Sequence, residues 1–319
     1  MTKQIKHVAV IGTGVIGASW TALFLAKGLR VNATDPAPGA EAALRKFVSD
    51  AWPALEQIGL APGASQSSLT FSADLKNAVS GVDFVQENGP ERLDFKQKLY
   101  GQLDELLARD AIIASSSSGL PMSQVQEGCK EHPERCVLGH PFNPPHIIPL
   151  VEIVGGAKTS EETIDRATAF YRSLGKRPVR LNKEVPGHVA NRLAAALYRE
   201  VIYLVSEGVI SVADIDDAIS WGPGLRWGVM GPNLLYKLGG GAGGMKHFFE
   251  QFTAPMAALW TVLGNPSITP ELAQKVTEGV DAETGTQTAD ELEAERDRVL
   301  LGLLALRNGS KSLQAASAA

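Results

Sequence analysis

The sequence predicts a doubly wound α/β sheet in its first half and an all-helical domain in its second. Three observations carry that prediction. Short β-rich runs alternate with helical patterns up to about residue 185. A glycine-rich turn follows the first run, and strand patterns all but disappear beyond LNKEVPGHVANRL. Alternation of this kind produces a parallel sheet covered by helices on both faces.

Taken in order, HVAVIG is the first strand, and Trp20, Leu23, Phe24 and Lys27 mark a helix that Gly28 closes. RVNATD and VDFVQE are the next strands, followed by the amphipathic stretch DFKQKLYGQLDELLARD. AIIASS, CVLGH and LVEIV complete the predicted strands, and SEETIDRATAFYRSLG is the last helix of this half, ahead of RPVRL. Beyond it, Leu193, Leu197, Val201 and Leu204 recur at helical spacing. Ser211 opens SVADIDDAISW, and Thr288 with Glu291 forms a capping-box pattern. The expected domains are 1–185, a nucleotide-binding sheet; 186–307, a helical substrate domain; and 308–319, a frayed tail.

A net charge of -5 and a pI near 5.8 offer no basic field for nucleic acid or an anionic membrane. Val8 to Ala26 carries no charge and imitates a signal peptide or membrane span, but three glycines at fixed spacing make it a strand, turn and helix. Cys129 and Cys136 lack metal-ligand spacing and read as free thiols, which predicts no metal and a reducing cytoplasm.

Gly12-Thr13-Gly14-Val15-Ile16-Gly17 is G-x-G-x-x-G after an apolar strand and at the start of a helix, with Asp35 closing the next strand. This is the phosphate turn of a Rossmann-type domain. Gly12 permits the tight turn, Gly14 admits a pyrophosphate, and Gly17 lets helix and strand approach. Asp35 would bond the adenosine ribose and repel a 2′-phosphate, so the expected cofactor is NAD. A second feature is Glu152, set among apolar residues in LVEIV. A carboxylate in a buried strand requires a compensating partner, either an imidazole or a lysine or arginine.

The glycine turn, SSSSGL, HPFNPPHIIPLVEIVGG and PGHVANRL stand in the order found in 3-hydroxyacyl-CoA dehydrogenases, and the chain resembles that superfamily over nearly its whole length. The resemblance implies that His140 is the catalytic base, Glu152 its partner, Ser118 the contact to the substrate oxygen and Asn191 an active-site amide. It also implies that Glu87, in VQENGPERLDFK, lies near the nicotinamide and that the helical domain forms a homodimer. The superfamily reads NTSSL where this chain has Ser116-Ser117-Ser118-Gly119-Leu120, so which serine faces inward stays open. The chemistry agrees, because oxidising a secondary alcohol needs a base for the hydroxyl proton. His7, His132, His146, His188 and His247 are read as structural.

GLRWGVMGPNLLYKLGGGAGGMKHFFEQF is similar to the L-carnitine dehydrogenase branch, whereas NPPHIIPLVEIV is similar to L-gulonate 3-dehydrogenases and lambda-crystallin. The implied activity is oxidation of a 3-hydroxy acid, L-carnitine to 3-dehydrocarnitine. L-Gulonate, a short 3-hydroxyacyl-CoA and a crystallin-like structural role are the alternatives. Arg226 offers a fork for a carboxylate, or a surface ion pair. Trp227, Tyr236, Phe248, Phe249, Phe252 and Trp260 offer faces for a trimethylammonium group, or ordinary core. Gly239 to Gly244 is either a flap or a connector.

Overall fold

The computed structural model describes residues 4–310. In chain order the first half contains β1 (His7–Ile11), α1 (Val15–Ala26), β2 (Arg30–Thr34), α2 (Ala40–Ile58), β3 (Leu69–Phe71), α3 (Leu75–Ala78) and β4 (Phe84–Glu87). There follow α4 (Leu93–Leu106), β5 (Ile112–Ser115), α5 (Met122–Val125), β6 (Cys136–Pro141), β7 (Leu150–Gly155), α6 (Glu161–Ser173) and β8 (Arg177–Arg180). The strands form one sheet in the order β3-β2-β1-β4-β5-β6-β7-β8. Successive residues of each strand face opposite layers. Val8, Val10, Ile112, Ala114, Val151 and Ile153 pack with Trp20, Phe24, Leu44 and Phe170 on one side. Ala9, Ile11, Ile113, Leu138 and Val154 pack with Leu99, Tyr100 and Leu103 on the other. This two-sided burial is why the strands read as continuous apolar runs.

One pairing departs from the predicted parallel sheet: β6 and β7 are antiparallel. Only residues 142–149 join them, too short a link for the crossover that parallel neighbours need. The expected strands also omit two at the sheet's margins. β3 has three residues, and β8 (RPVR) has largely exposed, charged side chains.

The order reverses between β1 and β4, where an open α/β sheet leaves its ligand crevice. Glu87 ends β4 there, and its carboxylate is fully buried. Lys96 Nζ on α4 donates to Oε1 at 2.7 Å and Oε2 at 2.9 Å. Ser115 Oγ and the Gly89 amide donate to it at 2.7 and 2.6 Å. Glu87, expected near the nicotinamide, thus stands at this crevice with both carboxylate oxygens held by the cluster.

The chain forms two compact units that meet in sequence at Arg192 and Leu193, just inside α7 (Ala190–Ser206). The second unit continues through α8 (Val212–Ser220), α9 (Pro223–Val229), α10 (Pro232–Gly239), α11 (Gly244–Trp260), α12 (Pro270–Thr284) and α13 (Ala289–Gly309). Ser211 caps α8 through the Asp214 amide, and Thr288 and Glu291 form the capping box of α13. Since α13 runs to Gly309, Asn308 and Gly309 are helical rather than part of the expected tail; the rest of that expectation, residues 311–319, lies outside the described residues. Among the described residues no helix is long and apolar enough to cross a membrane.

Removing one member of a buried ion pair leaves the other charge uncompensated, at a cost of about 3–5 kcal/mol. Lys96→Met should therefore lower unfolding stability by about that amount, and Lys96→Met with Glu87→Met should recover most of it. Denaturant titration of the two variants measures this; a double variant no more stable than Lys96→Met would contradict it.

Candidate active site

His140 and Glu152 stand directly opposite one another on β6 and β7. Both share strand parity with the second core layer, so they project from the same face of the sheet. His140 Nδ1 lies 2.9 Å from Glu152 Oε2, and both side chains are buried. The other oxygen, Oε1, accepts the amides of Val189 and Ala190, each at 2.9 Å, at the start of α7. Burial by itself raises the Glu152 pKa. The hydrogen bonds from His140, Ala190 and Val189 together with the His140 charge outweigh it and hold the carboxyl below its ordinary value. A carboxylate only accepts, so Nδ1 of His140 carries the shared proton, and Nε2 is the ring nitrogen that the pair leaves uncommitted.

The strand connection that follows His140 is fastened on two sides. Lys176, itself buried, donates from Nζ to the Pro145 carbonyl and to the Ile148 carbonyl at 2.7 Å, with Nζ 5.0 Å from the centre of the Trp20 ring. Burial, and then the charge of Lys27, pull the Lys176 pKa down to about 7. His146 meets α1: its amide donates to Ser19 Oγ at 2.8 Å, and its Nδ1 lies 2.8 Å from the same oxygen.

The serine run resolves residue by residue. Ser115 Oγ donates to Glu87, Ser116 Oγ to Asn88 Oδ1 at 2.7 Å, and Ser117 Oγ to Glu91 Oε1 at 2.6 Å. Ser118 is exposed, and its hydroxyl has no partner among the described residues. Glu91, which the sequence reading passed over, also accepts the amides of Gly119 and Leu120 at 2.8 and 3.3 Å, and so shapes the loop that presents Ser118. Asn191 follows the amides that hold Glu152 and is half-buried. His188, read as structural, lies against His140 with ring centres 4.9 Å apart. No spacing rule ties it to His140; only the fold does.

At the sheet's crevice, Gly12 has φ 80, and a Cβ there would come within 2.7 Å of the Asn88 carbonyl. A Cβ on Gly17 would sit 1.9 Å from the Gly12 carbonyl, whereas one on Gly14 would meet nothing within 4 Å. Gly14 caps α1 without a side-chain acceptor, and no acid occupies the first turn. Val15 is exposed and Ile16 half-buried there. The first amides of α1 thus face open space with a positive helix end behind them, which fits a pyrophosphate. Asp35 Oδ2 accepts the Thr13 amide at 2.8 Å, and Oδ1 the Ala37 amide at 2.9 Å. It therefore braces the glycine turn and retains acceptor capacity for a ribose hydroxyl.

In the second unit, Arg226 is exposed on α9, and its guanidinium has no partner among the described residues, so the surface ion pair is not formed there. Tyr236, Phe248 and Phe252 stack, with ring centres 4.6 Å apart for Tyr236 and Phe248 and 5.0 Å for Phe248 and Phe252. Phe248 is buried between the other two, so its expected role as a substrate face is corrected to packing. Trp227, Tyr236, Phe249, Phe252 and Trp260 stay exposed. Gly239 to Gly244 is a tight turn: a Cβ on Gly240 would lie 2.0 Å from the Gly244 carbonyl. It is a connector.

A doubly wound sheet with this phosphate turn, and a histidine held on a buried carboxylate, are what an NAD-dependent dehydrogenase requires, and the comparisons place the chain in that class. Residues 7–185 match the model of the 3-hydroxyacyl-CoA dehydrogenase NAD binding domain, and residues 187–285 match that of the 3-hydroxyacyl-CoA dehydrogenase C-terminal domain. The chain belongs to the 3-hydroxyacyl-CoA dehydrogenase family. It is 50% identical over 309 residues to an L-carnitine dehydrogenase of Pseudomonas putida, covering 97% of this chain and 96% of that protein. To an L-carnitine dehydrogenase of Bacillus cereus it is 47% identical over 303 residues, 95% and 93% of the two chains. Among solved structures, 5-formyl-3-hydroxy-2-methylpyridine 4-carboxylic acid 5-dehydrogenase, an NAD+-dependent dismutase, superposes with a TM-score of 0.84 at 34% identity, covering 97% of this chain and 100% of that one.

If Asp35 also meets the adenosine ribose, NAD should exceed NADP in kcat/KM by at least about tenfold, since a like-charge contact costs roughly 1.4 kcal/mol or more. Asp35→Ala should shrink that ratio mainly by weakening NAD, because it also frees the Thr13 amide. Steady-state kinetics with both cofactors measures this, and equal use by the unaltered protein would contradict it.

Proposed function

We propose that the protein oxidises the secondary hydroxyl of L-carnitine to give 3-dehydrocarnitine. The observation that supports this most is the His140–Glu152 pair, an imidazole whose Nδ1 is held by an ionised carboxylate and whose Nε2 the pair leaves uncommitted. Similarity to L-carnitine dehydrogenases over nearly the whole chain favours this substrate over L-gulonate or a CoA thioester. NAD, when bound at the glycine turn, supplies the acceptor for the hydride that leaves the carbinol carbon.

The chain's own residues handle the proton. His140 Nε2 takes it from the substrate hydroxyl, and Glu152 stabilises the imidazolium that results. Ser118, the serine of the run with an uncommitted hydroxyl, steadies the substrate oxygen, and Asn191 adds an amide from the first turn of α7. Arg226 holds the carboxylate of the substrate, and exposed aromatic faces, Trp227 and Tyr236 with Phe252, hold the trimethylammonium group. A second copy of the chain covers the second unit, where Leu193, Tyr198, Trp221, Leu238, Trp260 and Leu306 are exposed while few large apolar side chains are buried.

His140→Ala should lower kcat by roughly 10² to 10⁴ while NADH still binds; near-normal turnover would sink the mechanism. Because the folded pKa of Glu152 lies below its unfolded value, its stabilising effect is complete above that value and lost as pH falls through the folded one. The stability gap between the parent and Glu152→Gln should therefore be present at neutral pH and shrink on acidification below about 4.5. Denaturant curves at both pH values measure it, and a gap independent of pH would rule out an ionised Glu152.

Arg226→Ala should raise KM for L-carnitine by about tenfold or more, with a smaller effect on NAD. A panel of L-carnitine, 3-hydroxybutyrate, L-gulonate and a short 3-hydroxyacyl-CoA tests the substrate itself. Preference for any of the last three would overturn the carnitine reading.

A further inference from the structure

We propose that His188 is a positioning residue for the catalytic pair: its imidazole, anchored on the Ser117 carbonyl, holds a left-handed turn whose next two amides clamp Glu152. The proposal rests on the His140–Glu152 reading above and adds a residue to it.

The backbone supplies the first part of the argument. Val185-Pro186-Gly187-His188 is a turn closed by the His188 amide on the Val185 carbonyl at 3.1 Å, with Gly187 at φ 73. Proline followed by a glycine of positive φ is the pattern of a type II turn. His188 continues at φ 52 and is the one non-glycine residue with positive φ among the described residues. A side chain in that region is strained and persists only where its surroundings hold it. Immediately after it, the Val189 and Ala190 amides converge on one oxygen of Glu152.

The ring supplies the second part. Nε2 of His188 lies 3.0 Å from the Ser117 carbonyl, and a carbonyl only accepts, so Nε2 carries a proton. Nδ1 is buried with no partner among the described residues. A proton there would meet no acceptor and would place a second charge beside His140, so the ring is neutral. Burial lowers the His188 pKa, with the Ser117 hydrogen bond, His140, Glu152 and Glu91 as the other groups that act on it. The Ser117 hydroxyl and the Gly119 and Leu120 amides are in turn tied to Glu91. His188 therefore fastens the strained turn to a loop that is itself fixed, and the turn passes that order to Glu152.

The test uses the full-length protein in three forms. His188→Gln places an amide nitrogen at the reach of the ring's Nε2, able to donate to Ser117. His188→Gly accepts the turn but has no anchor, and His188→Ala lacks both. Two readouts follow the clamp: NMR titration of the Glu152 carboxyl carbon, and hydrogen exchange at the Val189 and Ala190 amides. In His188→Ala and His188→Gly, Glu152 should titrate upward by about one unit and the two amides should exchange about tenfold faster or more. His188→Gln should remain near the parent in both. If folded His188→Gly matches the parent, the ring anchors nothing and the proposal is overturned, whether or not His188→Ala folds. A shift of equal size in His188→Gln would overturn it as well. Neither readout needs substrate or cofactor, so the outcome is separate from that of the substrate panel.

Discussion

Everything around the base depends on one carboxylate having both of its oxygens committed. Glu152 faces His140 with Oε2 and two backbone amides with Oε1. Left alone in this buried strand it would take up a proton, and a neutral acid would neither fix the imidazole nor stabilise its charged form. The amides keep it ionised, and the imidazole keeps it oriented. Register does the rest, since the two side chains are cross-strand partners on one face of the sheet.

The loops that flank the pair are correspondingly stiff, and they are stiffened by polar contacts rather than by apolar packing alone. Lys176 gathers two carbonyls of the connection between β6 and β7, and Ser19 joins that connection to the helix at the phosphate turn. Glu91 gathers the serine loop, and Glu87 with Lys96 locks the end of β4. Such fixed surroundings hold the His140 ring in one orientation, and in any site of this kind misplacement of a reacting group is costly.

How much of this was legible in the sequence follows from how local each feature is. Gly12, Gly14 and Gly17 could be read because the turn, the close approach and the helix start are all encoded within a few residues. Glu152 could be read because a charge among apolar neighbours is anomalous wherever it occurs. The antiparallel turn of β7 was missed because a short connection was not weighed against the parallel pattern. The pairing of Glu87 with Lys96 could not be read, because it forms only once α4 packs on β4. His188 was passed over because its link to His140 bridges a turn and a strand distant in sequence, and no periodicity marks it. Helix α2 was also passed over, although Leu44, Val48, Ala51 and Leu55 share its buried face; Pro53 interrupts the pattern.

The clamp on Glu152 has a consequence for how such chains can be recombined. The carboxylate lies in the segment matched by the NAD binding domain, residues 7–185, whereas Val189 and Ala190 lie in the segment matched by the C-terminal domain, residues 187–285. The carboxylate and the amides that keep it ionised are thus written in different modules of the family. A graft made at the seam between them would exchange the C-terminal domain and the clamp on Glu152 in one step. A chimera meant to keep Glu152 as it is must carry the parent's turn across the join.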